Sequence, residues 1–210
     1  MPSFLALENV PLFKDSQCRD LLVNALTKQE FSFAEYCVSP GELCLIPNRR
    51  LRYYLVACKN KTFPEVLSSL TGPLPSLREY LGDCLADAEE EQELAVPESW
   101  TAKKTGFRFH CVSLDRKPGC VTQCMTKAYF ENKNSGGSFL RRDVIDAEGV
   151  CESNVDEMRL RFFSRAEARK LMGFPKLKQE WSVGLKSGYR LIGNSLNVAV
   201  SAVILKTLFK

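Results

Sequence analysis

The chain has 210 residues and a mass of 23.7 kDa, enough for one domain with a sizeable core or for one domain plus a small lobe. Apolar residues at 45% and charged residues at 26% exclude a disordered chain, and a net charge of +4 is too mild alone to imply a polyanionic partner. Nine scattered cysteines form no C-x-x-C pair and accompany a single histidine, His110, so no metal site is expected. With no signal peptide, reduced thiols in the cytoplasm, or also in the nucleus, are the expectation.

In chain order, Phe4 to Leu7 reads as a short apolar strand running into Glu8-Asn9-Val10. Asp15 or Ser16 can cap a helix whose Leu21, Leu22, Ala25 and Leu26 form one apolar stripe. Phe31 to Val38 reads as a strand, and a Ser39-Pro40-Gly41 loop leads to Pro47. Leu51 to Cys58 is a further strand, apolar on both faces, as a sheet covered by helices requires. Strand, helix, strand, loop, strand amounts to half of an α/β sheet.

Pro64, Pro73 and Pro75 then interrupt the pattern, a short helix follows near Leu77 to Leu85, and Asp87 to Glu93 forms an acidic island. From Ser99 to Arg142 there is little long periodicity, and Gly136-Gly137 marks a tight turn. Thr101 to Arg142 carries nine Lys/Arg against only Asp115 and Glu131, which suits either a nucleic-acid footprint or a solvated basic face. Beyond it, Ser164 and Glu167 have capping-box spacing, and Gly173 and Pro175 end the helix so begun. Leu196 to Phe209 is apolar but interrupted by Asn197, Ser201 and Lys206, and falls short of the ~20 residues of a membrane span, so a buried helix is expected. The organisation expected is residues 1–60 as part of a catalytic sheet, 61–150 as a lobe, and 151–210 as a return to the first domain.

Two groups of residues carry candidate chemistry. Glu8 lies at a strand end, where open α/β sheets place their ligands, and its carboxylate could hold the edge of a heterocycle; an exposed residue or a helix cap is the bland alternative. In Asn48-Arg49-Arg50-Leu51-Arg52 the period of a strand puts Arg50 and Arg52 on one face. Two such guanidiniums can clamp an anion or carboxylate, or merely keep an edge strand soluble.

Read together, these segments resemble the ordered motifs of the cytosine-C5 methyltransferases. Glu8-Asn9-Val10 looks like the family's E-N-V motif, and Asn48 to Arg52 like its Q-x-R-x-R motif with Asn48 in place of Gln. Arg161 to Pro175 resembles the motif that organises the recognition lobe, and Gly193-Asn194-Ser195 the last motif. Cys124-Met-Thr-Lys-Ala-Tyr129 resembles the C-F-T-K-x-Y segment of the subgroup that methylates tRNA(Asp), with Met125 replacing Phe. Pro47-Asn48 and Ser195-Leu196-Asn197-Val198 also look like that subgroup, whereas Lys61 to Thr105 fits it least.

The resemblance implies an α/β fold: a partial class I, Rossmann-like, S-adenosylmethionine-dependent methyltransferase domain with a small target-recognition lobe inserted. In the family, a cysteine thiolate adds to C6 of a flipped-out cytosine, making C5 nucleophilic toward the cofactor's methyl group. By carry-over, Glu8 holds the base at N3, Arg50 and Arg52 support the adduct and its loop, and Asn194 and Ser195 touch S-adenosylmethionine. Cys124, Thr126, Lys127 and Tyr129 would line the RNA-facing side, with Lys127 at a phosphate.

None of the nine cysteines follows a proline and no F-x-G-x-G-type loop precedes Glu8, so the family's nucleophile and main cofactor loop are not seen. The expectation is the C-terminal part of an enzyme that methylates C5 of a cytosine in the tRNA anticodon loop, inactive alone, with a missing N-terminal half as a partner. The alternatives are a noncatalytic RNA-binding remnant, one chain of a split methyltransferase, or a DNA methyltransferase. An open apolar edge along Phe4 to Leu7 and a partner-dependent fold are expected with it.

Overall fold

The computed structural model describes residues 3–97, 110–114, 122–123, 129, 138–141, 160–175 and 182–209. Cys124, Thr126, Lys127 and the Gly136-Gly137 turn lie outside the described residues.

The N-terminal segment folds as strand, helix, strand: β1 (Phe4–Asn9), a 3-10 turn (Pro11–Asp15), α1 (Gln17–Lys28) and β2 (Phe31–Val38). Strand β4 (Arg52–Lys59) lies between β1 and β2 and pairs antiparallel with both, so that β1 and β2 run parallel to each other. Tyr53 to Ala57 of this central strand are all buried, which is why its sequence is apolar at successive positions rather than alternating. Leu26 of α1 and Phe31 pack on Tyr53, Leu55 and Ala57 on one face. On the other face Tyr54 and Val56 meet Tyr36, Leu43 and the C-terminal helix.

Ser16 caps α1, its side chain accepting from the Arg19 N–H at 3.2 Å. The expected stripe is displaced: Leu22, Val23 and Leu26 face the sheet, whereas Leu21 is 70% exposed and Ala25 is exposed too. A helix turns 100° per residue, so a face centred on Leu22 and Leu26 swings Leu21 and Ala25 to its margin. An ion pair fastens α1: Arg19 donates from Nε and Nη2 to Glu35 of β2 at 2.8 and 2.5 Å, and the Tyr53 hydroxyl donates to the same carboxylate at 2.6 Å. The bonded Arg19 guanidinium holds the Glu35 carboxyl below its usual range, and burial, aided by Glu35, raises the Tyr53 phenol.

The segment read as a loop after Ser39 is a helical turn, α2 (Pro40–Cys44), with Ser39 and Glu42 forming a capping box and Pro40 in the first turn. Leu45, in the left-handed region at φ 53°, ends it. Asn48–Arg49 is a short strand, β3, paired in parallel with β6 (Thr122–Gln123).

The lobe contains α3 (Leu77–Leu81), a 3-10 turn (Gly82–Cys84), α4 (Ala88–Glu93), and a sheet of β5 (His110–Val112), β7 (Ser138–Arg141) and β8 (Leu160–Arg161) in the order β5-β7-β8. Its core joins Leu77, Leu81, Val112 and Leu140 to Phe163 and Leu171, and to Tyr189 and Ile192. Thus α5 (Arg165–Leu171) and α6 (Leu185–Asn194) share this core. Helix α7 (Val198–Phe209) returns to the sheet, burying Val200, Ile204 and Leu208 there.

Within Leu185–Phe209 an 18-residue stretch reaches a mean hydropathy of 1.5, but the segment breaks between Asn194 and Val198 and its second helix lies along the sheet. That helix is buried on one face only. Leu205 is 41% exposed and Phe209 71%, where a buried helix was expected.

Arg161 shows what the acidic island is for. Its side chain is fully buried and donates to both oxygens of Glu167, also fully buried, at 2.8 Å each, and to Glu91 of α4 at 3.1 Å. Glu167 also accepts from the Ser164 N–H at 2.7 Å, completing the capping box, and from the Ala86 N–H at 3.2 Å. One buried carboxylate therefore caps α5 and ties the acidic segment to it. Gly173, at φ 72°, ends α5, and a Cβ there would lie 2.8 Å from the Ala199 nitrogen. The glycine permits both the left-handed turn and the approach of α7, whose Val198 N–H donates to the Met172 carbonyl at 2.9 Å.

Candidate active site

Sheet register builds the first part of the site. Glu8 sits near the end of β1 directly across from Tyr54 of β4, and Arg52 lies two residues before Tyr54 on the same face. Arg52 Nε lies 3.2 Å from Glu8 Oε1, with the two side chains 20% and 26% exposed. The pair is half-buried. Glu8 is thus neither a helix cap nor an isolated surface carboxylate.

Arg50 and Arg52 do not share a strand. Strand β3 ends at Arg49 and β4 begins at Arg52, so period-two reasoning fails across the break. Arg50, buried, instead crosses to the C-terminus of α6, donating from Nη2 to the carbonyls of Ser195 at 2.5 Å and Gly193 at 3.3 Å. A helix C-terminus presents carbonyls that lack helical partners, and a guanidinium satisfies several at once. Its own N–H donates to the Ser39 hydroxyl at 3.2 Å.

Arg50 thereby anchors the turn that holds Asn194, whose side chain is exposed, and Ser195, half-buried, with its hydroxyl donating to the Ile192 carbonyl at 2.7 Å. An exposed amide beside a fixed hydroxyl suits the ammonium and carboxylate of an amino-acid moiety, so these residues fit the methionine end of S-adenosylmethionine.

Tyr54 is the site residue that the sequence reasoning missed. It is buried between Glu8 and α7, and burial raises its phenol above the usual range; Glu8 adds to that shift while Arg50 and Arg52 oppose it. The signal was available, because a polar-tipped aromatic two residues after Arg52 must share its face.

Asn48 plays a joining role. Fully buried, it donates from Nδ2 to the Leu171 carbonyl at 3.0 Å, and its Oδ1 accepts from the Thr122 hydroxyl at 3.4 Å.

Tyr129 departs from expectation. It is wholly buried against Phe139, Phe162 and Tyr189, and its hydroxyl accepts from the Phe163 N–H at 3.0 Å. An aromatic ring there fills the lobe core and satisfies a backbone donor, where the resemblance implied a place on the RNA-facing side. A cleft of about 670 Å³ lies elsewhere, between Tyr80, Arg169, Lys170 and Phe174, and contains none of the predicted site residues.

A carboxylate–arginine pair thus stands at the end of a strand of an α/β sheet, and a second arginine holds a helix terminus. The family profile of the C-5 cytosine-specific DNA methylases matches residues 1–210, and the chain belongs to that family.

Among curated relatives, it is 28% identical to a tRNA (cytosine(38)-C(5))-methyltransferase of Spodoptera frugiperda, covering 99% of this chain and 66% of the relative. It is 29% identical to the enzyme of that name from Schizosaccharomyces pombe, covering 100% and 64%. Among solved structures, the Entamoeba histolytica methyltransferase EhMeth superposes with a TM-score of 0.81 at 27% identity, over 99% of this chain and 62% of that one. The S. pombe Dnmt2 methyltransferase gives 0.81 at 28%, over 100% and 68%. The chain thus spans about two thirds of the length of these relatives, and its fold is part of the α/β methyltransferase fold.

Proposed function

We propose that this chain forms part of an enzyme that transfers a methyl group from S-adenosylmethionine to C5 of a cytosine in the anticodon loop of a tRNA. The observation that carries the reading is the Glu8–Arg52 pair at the sheet end, beside the turn that Arg50 holds at Asn194 and Ser195. Family membership supports the reaction class. The tRNA substrate is supported by the names of the relatives and by the Cys124 to Tyr129 segment, in which Cys124, Thr126 and Lys127 are the proposed RNA contacts.

Bound S-adenosylmethionine would supply an electrophilic methyl group at the face of the base. Glu8 holds the ring edge of the flipped cytosine, and Arg52 keeps that carboxylate in place. Arg50 fixes the cofactor-side turn through its carbonyls, so the two halves of the site cannot drift apart. Such positioning matters because a misplacement of about 1 Å can cost a hundredfold in rate. The thiolate that adds to C6 comes, in this reading, from the part of the family's polypeptide that the match leaves out.

The test uses the tagged protein purified with whatever it assembles with in its own cells, incubated with labelled S-adenosylmethionine and either tRNA or duplex DNA. Label in tRNA, sequenced to a 5-methylcytosine and reduced at least about a hundredfold by Glu8→Ala, is expected. Label in DNA alone, or transfer indifferent to Glu8, overturns the proposal.

A further inference from the structure

We infer that Tyr54 is a positioning residue for Glu8: its hydroxyl, backed by Ser201 of α7, holds the carboxylate through one bridging water across a small cavity that the three side chains share. The inference rests on the functional reading for the task that Glu8 performs; the link between the side chains is read from geometry.

The use of a second tether follows from the first. Arg52 Nη1 is engaged by the Leu51 carbonyl at 2.7 Å, and its Nε is the atom that approaches Glu8, at 3.2 Å. This is not the two-armed contact that Arg161 makes with Glu167. The terminal torsion of a glutamate is broad, so a single arm lets the plane of the carboxylate turn. A group that holds the edge of a base needs that plane fixed.

Tyr54 is placed to fix it. It stands directly across from Glu8 in the β1–β4 register, where partners on one face have Cβ atoms about 4.5–5.5 Å apart. The residue is 4% exposed, and burial raises its phenol, so the hydroxyl stays protonated and able to donate. The charged groups that act on this phenol are Glu8, which raises it further, and Arg50 and Arg52, which oppose the rise.

Ser201 stands close enough to lower the same phenol, as a donor to its oxygen does. The approach falls short of a full hydrogen bond: Ser201 Oγ, sealed from solvent, has no partner of good geometry among the described residues. A buried hydroxyl so placed calls for a water. Glu8, Tyr54 and Ser201 all line one cavity of about 110 Å³, with Ala6, Leu196 and Ile204 among its apolar walls. That volume admits a water, and three polar groups are enough partners to hold one. With Ser201 on the phenol oxygen, the single O–H of Tyr54 is left to act toward the carboxylate.

Tyr54→Phe removes the hydroxyl and keeps the ring. In the native complex, assayed on tRNA with labelled S-adenosylmethionine, it should lower kcat roughly tenfold, with KM for tRNA within about twofold and Tm unchanged. Ser201→Ala should lower kcat by about threefold. In a Glu8→Ala background, Tyr54→Phe should cost less than about twofold more, because the carboxylate it positions is gone. The link is also read without activity. The Tyr54 phenol, followed by NMR of the full chain with carbon-labelled tyrosine, should ionise at lower pH in Glu8→Gln and at higher pH in Ser201→Ala.

A kcat loss under about twofold in Tyr54→Phe, a loss carried by KM or by a fall in Tm, or full additivity with Glu8→Ala overturns the inference. So does a phenol indifferent to Glu8→Gln. If the native complex transfers no methyl group to tRNA, the functional reading fails by itself, and the phenol titration alone decides the link.

Discussion

Arg161 and Glu167 offer the sharpest test of how this lobe is held. Both side chains are fully buried, and the pair is bidentate at 2.8 Å on each arm. Breaking such a pair from one side leaves an uncompensated charge, which costs about 3–5 kcal/mol. The lower end applies to Arg161 once Glu167 is gone, because Glu91, 30% exposed, and the Phe162 carbonyl still engage it. Arg161→Met and Glu167→Leu should therefore each destabilise by about 3 kcal/mol, with about 1 kcal/mol more for Glu167 from the lost cap.

The double variant removes both charges and fills the space with apolar groups. It should cost about 3–4 kcal/mol rather than the sum of about 7, giving a coupling of about 3–4 kcal/mol. Urea unfolding followed by far-ultraviolet circular dichroism reads all four corners of the cycle. Single variants costing under about 1 kcal/mol, or strict additivity, would show that the buried pair does not organise the lobe.

Three further outcomes follow from the same geometry. Gly173→Ala should cost at least about 2 kcal/mol in unfolding measurements, because the left-handed turn penalises a Cβ and the Ala199 nitrogen stands 2.8 Å from it. Tyr129→Phe should destabilise by about 1–3 kcal/mol by leaving the buried Phe163 N–H without its acceptor, while tRNA affinity measured by filter binding stays unchanged. A depressed Glu35 carboxyl means its contribution is fully present above the unfolded value of 4.5 and is lost as pH falls through the lower folded value. Glu35→Gln should accordingly flatten the acid limb of a stability-against-pH curve, and an unchanged limb would remove Arg19–Glu35 as the fastening of α1.

Much of this molecule is legible from local pattern. The strands at Phe4, Phe31 and Arg52 come from runs of apolar and aromatic residues, the cap at Ser164 from its spacing to Glu167, and the two covered faces of β4 from its unbroken apolar run. These depend on side chains a few residues apart, which the order of the chain alone sets. The motif order likewise sufficed for the family, because each motif brings its own residues.

What required the folded chain is long-range. The break between β3 and β4 sends Arg50 to Ser195, 145 residues away, while Arg52 turns to Glu8. Tyr129 looks like a surface contact until the lobe core closes over it, and nothing local shows that Tyr189 and Leu171 join Phe163 in one core. Nothing within the acidic island itself shows that Glu91 reaches a buried arginine. Each case turns on which distant surfaces meet, and burial and charge pairing at such contacts are set by packing in three dimensions rather than by any local repeat.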